Sequence, residues 1–189
     1  ASWSPLVSLE LARIVEAAGL PKGLFSVLPG SGREIGNLLV EHPRIAKISF
    51  TGGTETGRAL ALKAAQKLMP VSLELGGKSP NIVFADADIE QALAGVLFGI
   101  FSSTGQSCIA GARLFVERPI CDKFVDRLVA ATRRLRIGHP FEPETQVAPL
   151  IHFDHRDSVA AHVRRALDDG AELLAGGCEP EGEAYRQGA

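Results

Sequence analysis

Cysteine is scarce in this chain. There are three thiols in 189 residues, and no two of them form a C-x-x-C pair. That excludes a disulfide scaffold and leaves no pattern for a structural zinc site. Excess charge is absent too: the formal net charge is −2. No basic field is present to hold nucleic acid or an anionic membrane. No run of about 18 apolar residues free of charge appears, so no segment reads as a membrane-spanning helix. No basic stretch followed by an apolar core opens the sequence, so no secretion signal is read. Internal repeats and low-complexity tracts are also missing. The expectation is a cytoplasmic chain in a reducing compartment, with no metal, nucleic-acid or membrane partner.

What is present is ordinary for a globular protein: 46% hydrophobic and 22% charged residues. That composition excludes disorder. The length fits one domain or two small ones. Glycine is the one excess, with 20 residues, roughly 11% against a usual ~7%. The glycines cluster in a few turns, where the backbone can approach a ligand.

Helix and strand alternate along the chain. Pro5–Ala18 carries a helical apolar stripe that stops at Gly19 and Pro21. Phe25–Leu28 reads as a short strand, Glu34–Val40 as a helix and Ile45–Phe50 as a strand. Thr54–Lys67 is a helix and Val71–Leu75 a strand ending at Gly76–Gly77. This order, with helical crossovers, predicts a parallel sheet. The second half continues with strand Asn81–Phe84, helix Ile89–Ser102 with Asp86 or Asp88 as its cap, and strand Arg113–Glu117. Helix Cys121–Leu135, a turn-rich link Pro140–Pro149, helix Asp154–Asp168 and strand Ala171–Leu174 follow. Gly176–Ala189 reads as loop. A boundary is expected at Gly76–Gly77, giving domains 1–75 and 76–189.

Three constellations carry chemistry. The first is Ser49–Gly57, SFTGGTETG, between a strand and a helix. Its glycines let backbone approach a ligand, and the helix N-terminus offers N–H groups and a positive dipole end to a phosphate. It is neither G-x-G-x-x-G nor a P-loop. A tight structural turn is the alternative. Gly30, in Pro29–Gly30–Ser31–Gly32, is a weaker turn of the same kind with the same alternative. The second is Glu74 in LELGGK, at the C-terminal end of an apolar strand. Open parallel sheets bind ligands at that edge. Desolvation there would make the carboxylate a better proton acceptor. The alternative is an ion pair with Lys78. The third is Thr104–Gly111, TGQSCIAG, which places Cys108 in a small polar turn suited to an accessible thiolate. A buried, inert cysteine is the alternative. Cys121 and Cys178 carry no such context. His152, Asp154, His155 and Asp157 suggest a metal cluster, but they read better as a capped, solvated helix start. Arg133, Arg134 and Arg136 read as a solvated helix end.

Together these motifs resemble the aldehyde dehydrogenase superfamily. Phe50–Gly57 looks like its phosphate-side coenzyme turn, Leu73–Pro80 like its glutamate signature and Gly105–Cys108 like its cysteine signature. The resemblance implies an α/β fold: a partial, parallel Rossmann-like coenzyme sheet in 1–75, then the start of an α/β catalytic thiol domain in 76–189. It implies NAD or NADP as coenzyme and a small-molecule aldehyde as substrate. Cys108 would be the nucleophile and Glu74 the general base. Gly52, Gly53, Thr54, Glu55, Thr56 and Gly57 would lie along the pyrophosphate, and Leu75 near the nicotinamide, with Gly30 as a further coenzyme contact. The thiolate would add to the aldehyde, a hydride would leave, and Glu74 would activate the water that hydrolyses the thioester. Members that pass the acyl group to coenzyme A lack the glutamate, so its presence points to hydrolysis. Val83–Asp88 looks most like members that handle semialdehydes or betaine aldehyde.

The resemblance departs at three places. Gly53 stands where serine is common. Ser2 falls near a ribose-binding glutamate of NAD-preferring members, which would leave NADP tolerated. The family subunit is also longer, with an oxyanion-hole asparagine, a second coenzyme glutamate and oligomerisation strands outside these motifs. A central segment of a dimeric or tetrameric enzyme is therefore expected. The rivals are an inactive remnant that binds nucleotide or a partner chain, and a coenzyme-A-acylating enzyme.

Overall fold

A computed structural model describes residues 3–182, 185, 186 and 188. Ser2, read above as bearing on the ribose, lies outside them, as does part of the tail. The chain forms two compact units, Ala1–Leu75 and Gly76–Ala189.

In the first unit, α1 spans Leu6–Ala17, α2 Gly32–Glu41, β1 Ile48–Gly52, α3 Thr54–Ala65 and β2 Val71–Leu75. β1 and β2 pair in parallel, with Ile48 opposite Val71, Thr51 opposite Glu74 and Gly52 opposite Leu75. The α3 helix joins them as a crossover. Its run ALALKAA is rich in the strongest helix formers. Val40, Ala64 and Met69 are buried, with Ile45, Ile48, Leu60 and Val71 packed on them. Two lysines, one in α3 and one just after it, fasten α2. Lys63 Nζ reaches Asn37 Oδ1 at 3.0 Å and Glu41 Oε1 at 2.6 Å. Lys67 Nζ donates to the carbonyls of Val40 at 3.1 Å and His42 at 2.6 Å. These bonds satisfy the end of α2. No residue of α1 is buried.

In the second unit, β3 spans Pro80–Val83, α4 Ile89–Phe101, β4 Arg113–Val116, α5 Cys121–Thr132 and α6 Phe153–Asp168. β3 and β4 are parallel, with Asn81 opposite Leu114 and Val83 opposite Val116. Val83, Leu93, Val96, Phe124 and Ala131 form the core, placing α4 and α5 on one sheet face. Arg127 on α5 pairs with Glu90 on α4. The other face shows Ile82, Phe84 and Phe115 to solvent. The turn-rich link is tied by an Ile137–Val147 bridge and an Arg136–Glu144 ion pair of 2.5 Å.

Several expectations need correction. Phe25–Leu28 and Ala171–Leu174 form no strand. A strand exists by its ladder, and neither segment pairs with a neighbour among the described residues. The Ala171 N–H instead caps α6, donating to Ala166 O at 2.9 Å, and the Leu174 carbonyl accepts from Arg133 at 3.1 Å. The strand expected from Ile45 begins at Ile48, because the Ile45 N–H closes a turn on His42 O at 3.1 Å. Asp88 is the cap of α4, its Oδ1 accepting from Glu90 N–H at 3.0 Å and Gln91 N–H at 3.1 Å. The cap of α6 is His152, not an aspartate: its Nδ1 accepts from the His155 N–H at 3.2 Å. Among the described residues no helix is long and apolar enough to cross a membrane, and no group of three or more His, Cys, Asp or Glu could hold a metal ion.

Candidate active site

The glycine turn sits where β1 delivers the chain to α3. Gly53 is the N-cap, in extended conformation (φ −72°, ψ 146°), and no side chain caps the helix. The first helical bond runs from Gly57 N–H to Gly53 O at 3.0 Å. The N–H groups of Thr54, Glu55 and Thr56 therefore have no partner within the helix. All three residues and Gly53 are exposed. A bare helix N-terminus with a side-chain-free cap is suited to an anion. The Glu55 carboxylate turns aside toward Arg58, 3.8 Å away.

Gly52 and Gly57 also answer a packing need. Gly57 is buried, and a β-carbon there would lie 2.6 Å from Leu75 Cδ2. The missing side chain lets α3 settle on the end of β2. At Gly52 a β-carbon would lie 2.5 Å from the Phe50 ring. Gly30 lies in a separate turn before α2, at φ 153°. Residues with side chains rarely adopt that conformation.

Strand alternation sorts the pair β1 and β2 into two faces. Ile48, Phe50, Val71, Leu73 and Leu75 share one. Ser49, Thr51, Ser72 and Glu74 share the other, and all four are exposed. Glu74 thus closes a polar face at the C-terminal edge of parallel strands. The burial expected for it is absent, because no layer covers that face within the unit. The alternative pairing with Lys78 is absent as well. Among the described residues the Glu74 carboxylate makes no hydrogen bond or ion pair; only its backbone is held, in the ladder with β1. The first unit thereby brings together Gly52–Gly57, Glu74 and Leu75.

Cys108 belongs to the second unit. It is exposed, in contrast to the buried-cysteine alternative. Neither its thiol nor its N–H has a hydrogen-bond partner among the described residues. The loop is closed at its neck by Gly111 N–H to Gly99 O at 3.0 Å. Asn81 packs against that neck: β-carbons on Gly111 and Gly99 would lie 3.1 and 3.7 Å from its Nδ2. The chain enters the loop through three left-handed residues: Ser103 (φ 52°), Thr104 (φ 57°) and Gly105 (φ 70°). The sequence motif Thr104–Gly111 takes in Thr104 and Gly105, but Asn81 and Ser103 lie outside it, and nothing in the sequence marks Thr104 as left-handed. An open cavity of about 630 Å³ at the end of α5, lined by Arg133, Arg134 and Arg136, holds no candidate residue.

An α/β chain of parallel strands, with an open helix N-terminus in one unit and an exposed thiol loop in the other, is what these features define. The sequence matches the aldehyde dehydrogenase family over residues 1–189, and the chain belongs to that family. It is 45% identical over 185 residues to the betaine aldehyde dehydrogenase of Brucella ovis, covering 98% of this chain and 38% of that protein. Among solved structures, HpcC from Thermus thermophilus is 45% identical at a TM-score of 0.96, over 100% of this chain and 37% of that one. PnpE in complex with nicotinamide adenine dinucleotide is 41% identical at a TM-score of 0.95, over 97% of this chain and 38% of that one. The chain thus spans well under half the length of these relatives, and its parallel α/β architecture is Rossmann-like, as theirs is.

Proposed function

We propose that this chain is the central part of an NAD(P)-dependent aldehyde dehydrogenase that oxidises an aldehyde to the free acid. The observation that carries the reading is the exposed Cys108 thiol, with its own N–H unpaired among the described residues. Residues 1–75 are read as part of the coenzyme domain and 76–189 as part of the catalytic thiol domain. The coenzyme fits the first unit on a structural ground: the open N–H groups of Thr54–Thr56 beside Gly53 would take its pyrophosphate. Gly52 and Leu75 would flank it at the strand ends. Bound there, NAD(P) accepts the hydride.

The chain's own residues supply the rest. The Cys108 thiolate adds to the aldehyde carbon, and the carbonyl pair moves onto oxygen. The Cys108 N–H is a donor for that oxyanion. Once the hydride has left the carbon, a thioester remains. Glu74 takes a proton from water as the water oxygen attacks the thioester carbon. The carbon–sulfur bond breaks, the acid leaves and the thiolate is regenerated. The relatives support NAD as the coenzyme and betaine aldehyde, a quaternary ammonium aldehyde, as the first substrate to try. The three free cysteines fit a reducing, cytoplasmic setting. The family resemblance supports a dimer or tetramer.

Full-length protein tests the reading. Cys108→Ala lowers kcat by more than about 10³-fold. Glu74→Gln keeps the first burst of NADH but slows steady turnover by about 10²-fold or more. Coenzyme binding without turnover in the parent protein would favour an inactive remnant. Acceleration by coenzyme A would favour acyl transfer to a thiol.

A further inference from the structure

We infer that the left-handed turn Ser103–Gly105 is a positioning device for Cys108, with Ser103 and Thr104 as positioning residues; this rests on the reading of Cys108 as nucleophile. Three consecutive residues hold φ values of 52°, 57° and 70°. Glycine reaches this region freely, but serine and threonine do not, and a β-branched threonine there is a true outlier. Neither Ser103 nor Thr104 is a residue that would choose the turn on its own. Such backbone persists only where the surroundings over-determine it.

The surroundings do so here. The Gln106 N–H donates to Ser103 O at 3.0 Å, closing the turn on its far side. The Gly111–Gly99 bond clasps the neck, and Asn81 fills the space that both glycines leave open. At Gly105 a β-carbon would sit 3.3 Å from Ile100 O, so the third residue of the turn has little room for a side chain. The turn reverses the chain directly after α4, and the next residues, Gln106 and Ser107, lead to the exposed thiol. A strained turn clasped at both ends has one arrangement, and it sets where Cys108 stands.

The test compares substitutions at Ser103 in the full-length protein. Ser103→Pro forces φ to about −65° and cannot adopt the turn. Ser103→Asn accepts the left-handed region more readily than serine. Two readouts are taken. One is the rate of Cys108 alkylation by iodoacetamide relative to Cys178, an exposed thiol outside the loop. The other is single-turnover NADH formation per titrated thiol, with coenzyme Kd measured separately. Ser103→Pro is expected to cut single turnover about 100-fold and the alkylation ratio at least about five-fold, with coenzyme Kd within about two-fold. Ser103→Asn is expected to stay within about three-fold of the parent in every measure. If Ser103→Pro does not fold, Ser103→Val, which disfavours the region without forbidding it, replaces it, and the same order is required. A proline or valine variant that matches the parent in both readouts overturns the inference. So does an asparagine variant as damaged as the proline one. Turnover retained in Cys108→Ala would overturn the nucleophile reading and this inference with it.

Discussion

The two crossover helices, α3 and α4, begin in opposite ways and end in like backbone. The N-terminus of α4 is filled by its own chain: the Asp88 carboxylate takes the N–H groups of Glu90 and Gln91. The N-terminus of α3 is left open, with glycine at the cap and no side-chain acceptor. A capped helix start is finished; an uncapped, exposed one still has donors to offer. At the other ends both helices run into left-handed residues. The α3 helix ends in a closed motif around Leu68, whose N–H donates to Ala65 O while the Met69 N–H donates to Ala64 O, both at 3.0 Å. The α4 helix runs into Ser103–Gly105 and on toward Cys108. Chemistry is read at the start of α3 and after the end of α4, while the other two ends serve the helix alone.

The largest effect is expected where α3 docks on β2. Gly57→Val would drive a branched side chain into Leu75. Overpacking of that kind is expected to destabilise the fold by about 2–3 kcal/mol. Chemical denaturation measures it, and a loss under about 1 kcal/mol would mean that α3 shifts freely, so that Gly57 is not a packing requirement. Gly53→Asp makes the start of α3 resemble that of α4. The carboxylate would occupy the open N–H groups and repel a phosphate, so coenzyme Kd is expected to rise about tenfold, with stability unchanged or slightly higher. Titration of coenzyme fluorescence reads it. Unchanged affinity would remove the start of α3 from the binding site.

Much of this contrast was legible in the residues. SFTGGTETG announced a strand, an open turn and a helix. LELGGK placed a carboxylate at a strand end, and TGQSC placed a thiol in a small polar loop. Local chemistry decides such features. What was not legible depends on neighbours. Phe25–Leu28 and Ala171–Leu174 are short, partly apolar segments beside turns, but a strand needs a partner that sequence order does not name. Glu74 was expected to be buried or paired with Lys78, and it is neither, because burial is decided by the layer over the Ser49–Glu74 face. The left-handed run was hidden because Ser103 and Thr104 are not left-handed residues by preference, and only Gly105 showed. Asp154 offered a cap by residue type, yet His152, one residue before the helix, holds the His155 N–H.

The smallest effect separates the two left-handed exits. Leu68 stands at φ 53°, almost the φ of Ser103, and is 92% exposed. No candidate residue lies in that turn. Its strain serves only to end α3, where glycine is the usual choice. Leu68→Gly is therefore expected to stabilise the protein by about 0.5–1 kcal/mol, because relief of the left-handed conformation outweighs the added chain entropy. Turnover should not change. Ser103→Gly relieves the same kind of strain and is expected to gain a similar amount. There glycine, unlike asparagine, also adds backbone freedom to the loop, and single turnover should fall several-fold while coenzyme Kd holds. Thermal denaturation and rapid-quench kinetics on the two glycine variants together decide the matter. If Leu68→Gly lost turnover as well, left-handed strain would be acting through global stability. If Ser103→Gly kept full turnover, the strain before Cys108 would be as idle as that at Leu68, and the two exits would differ only in what happens to follow them.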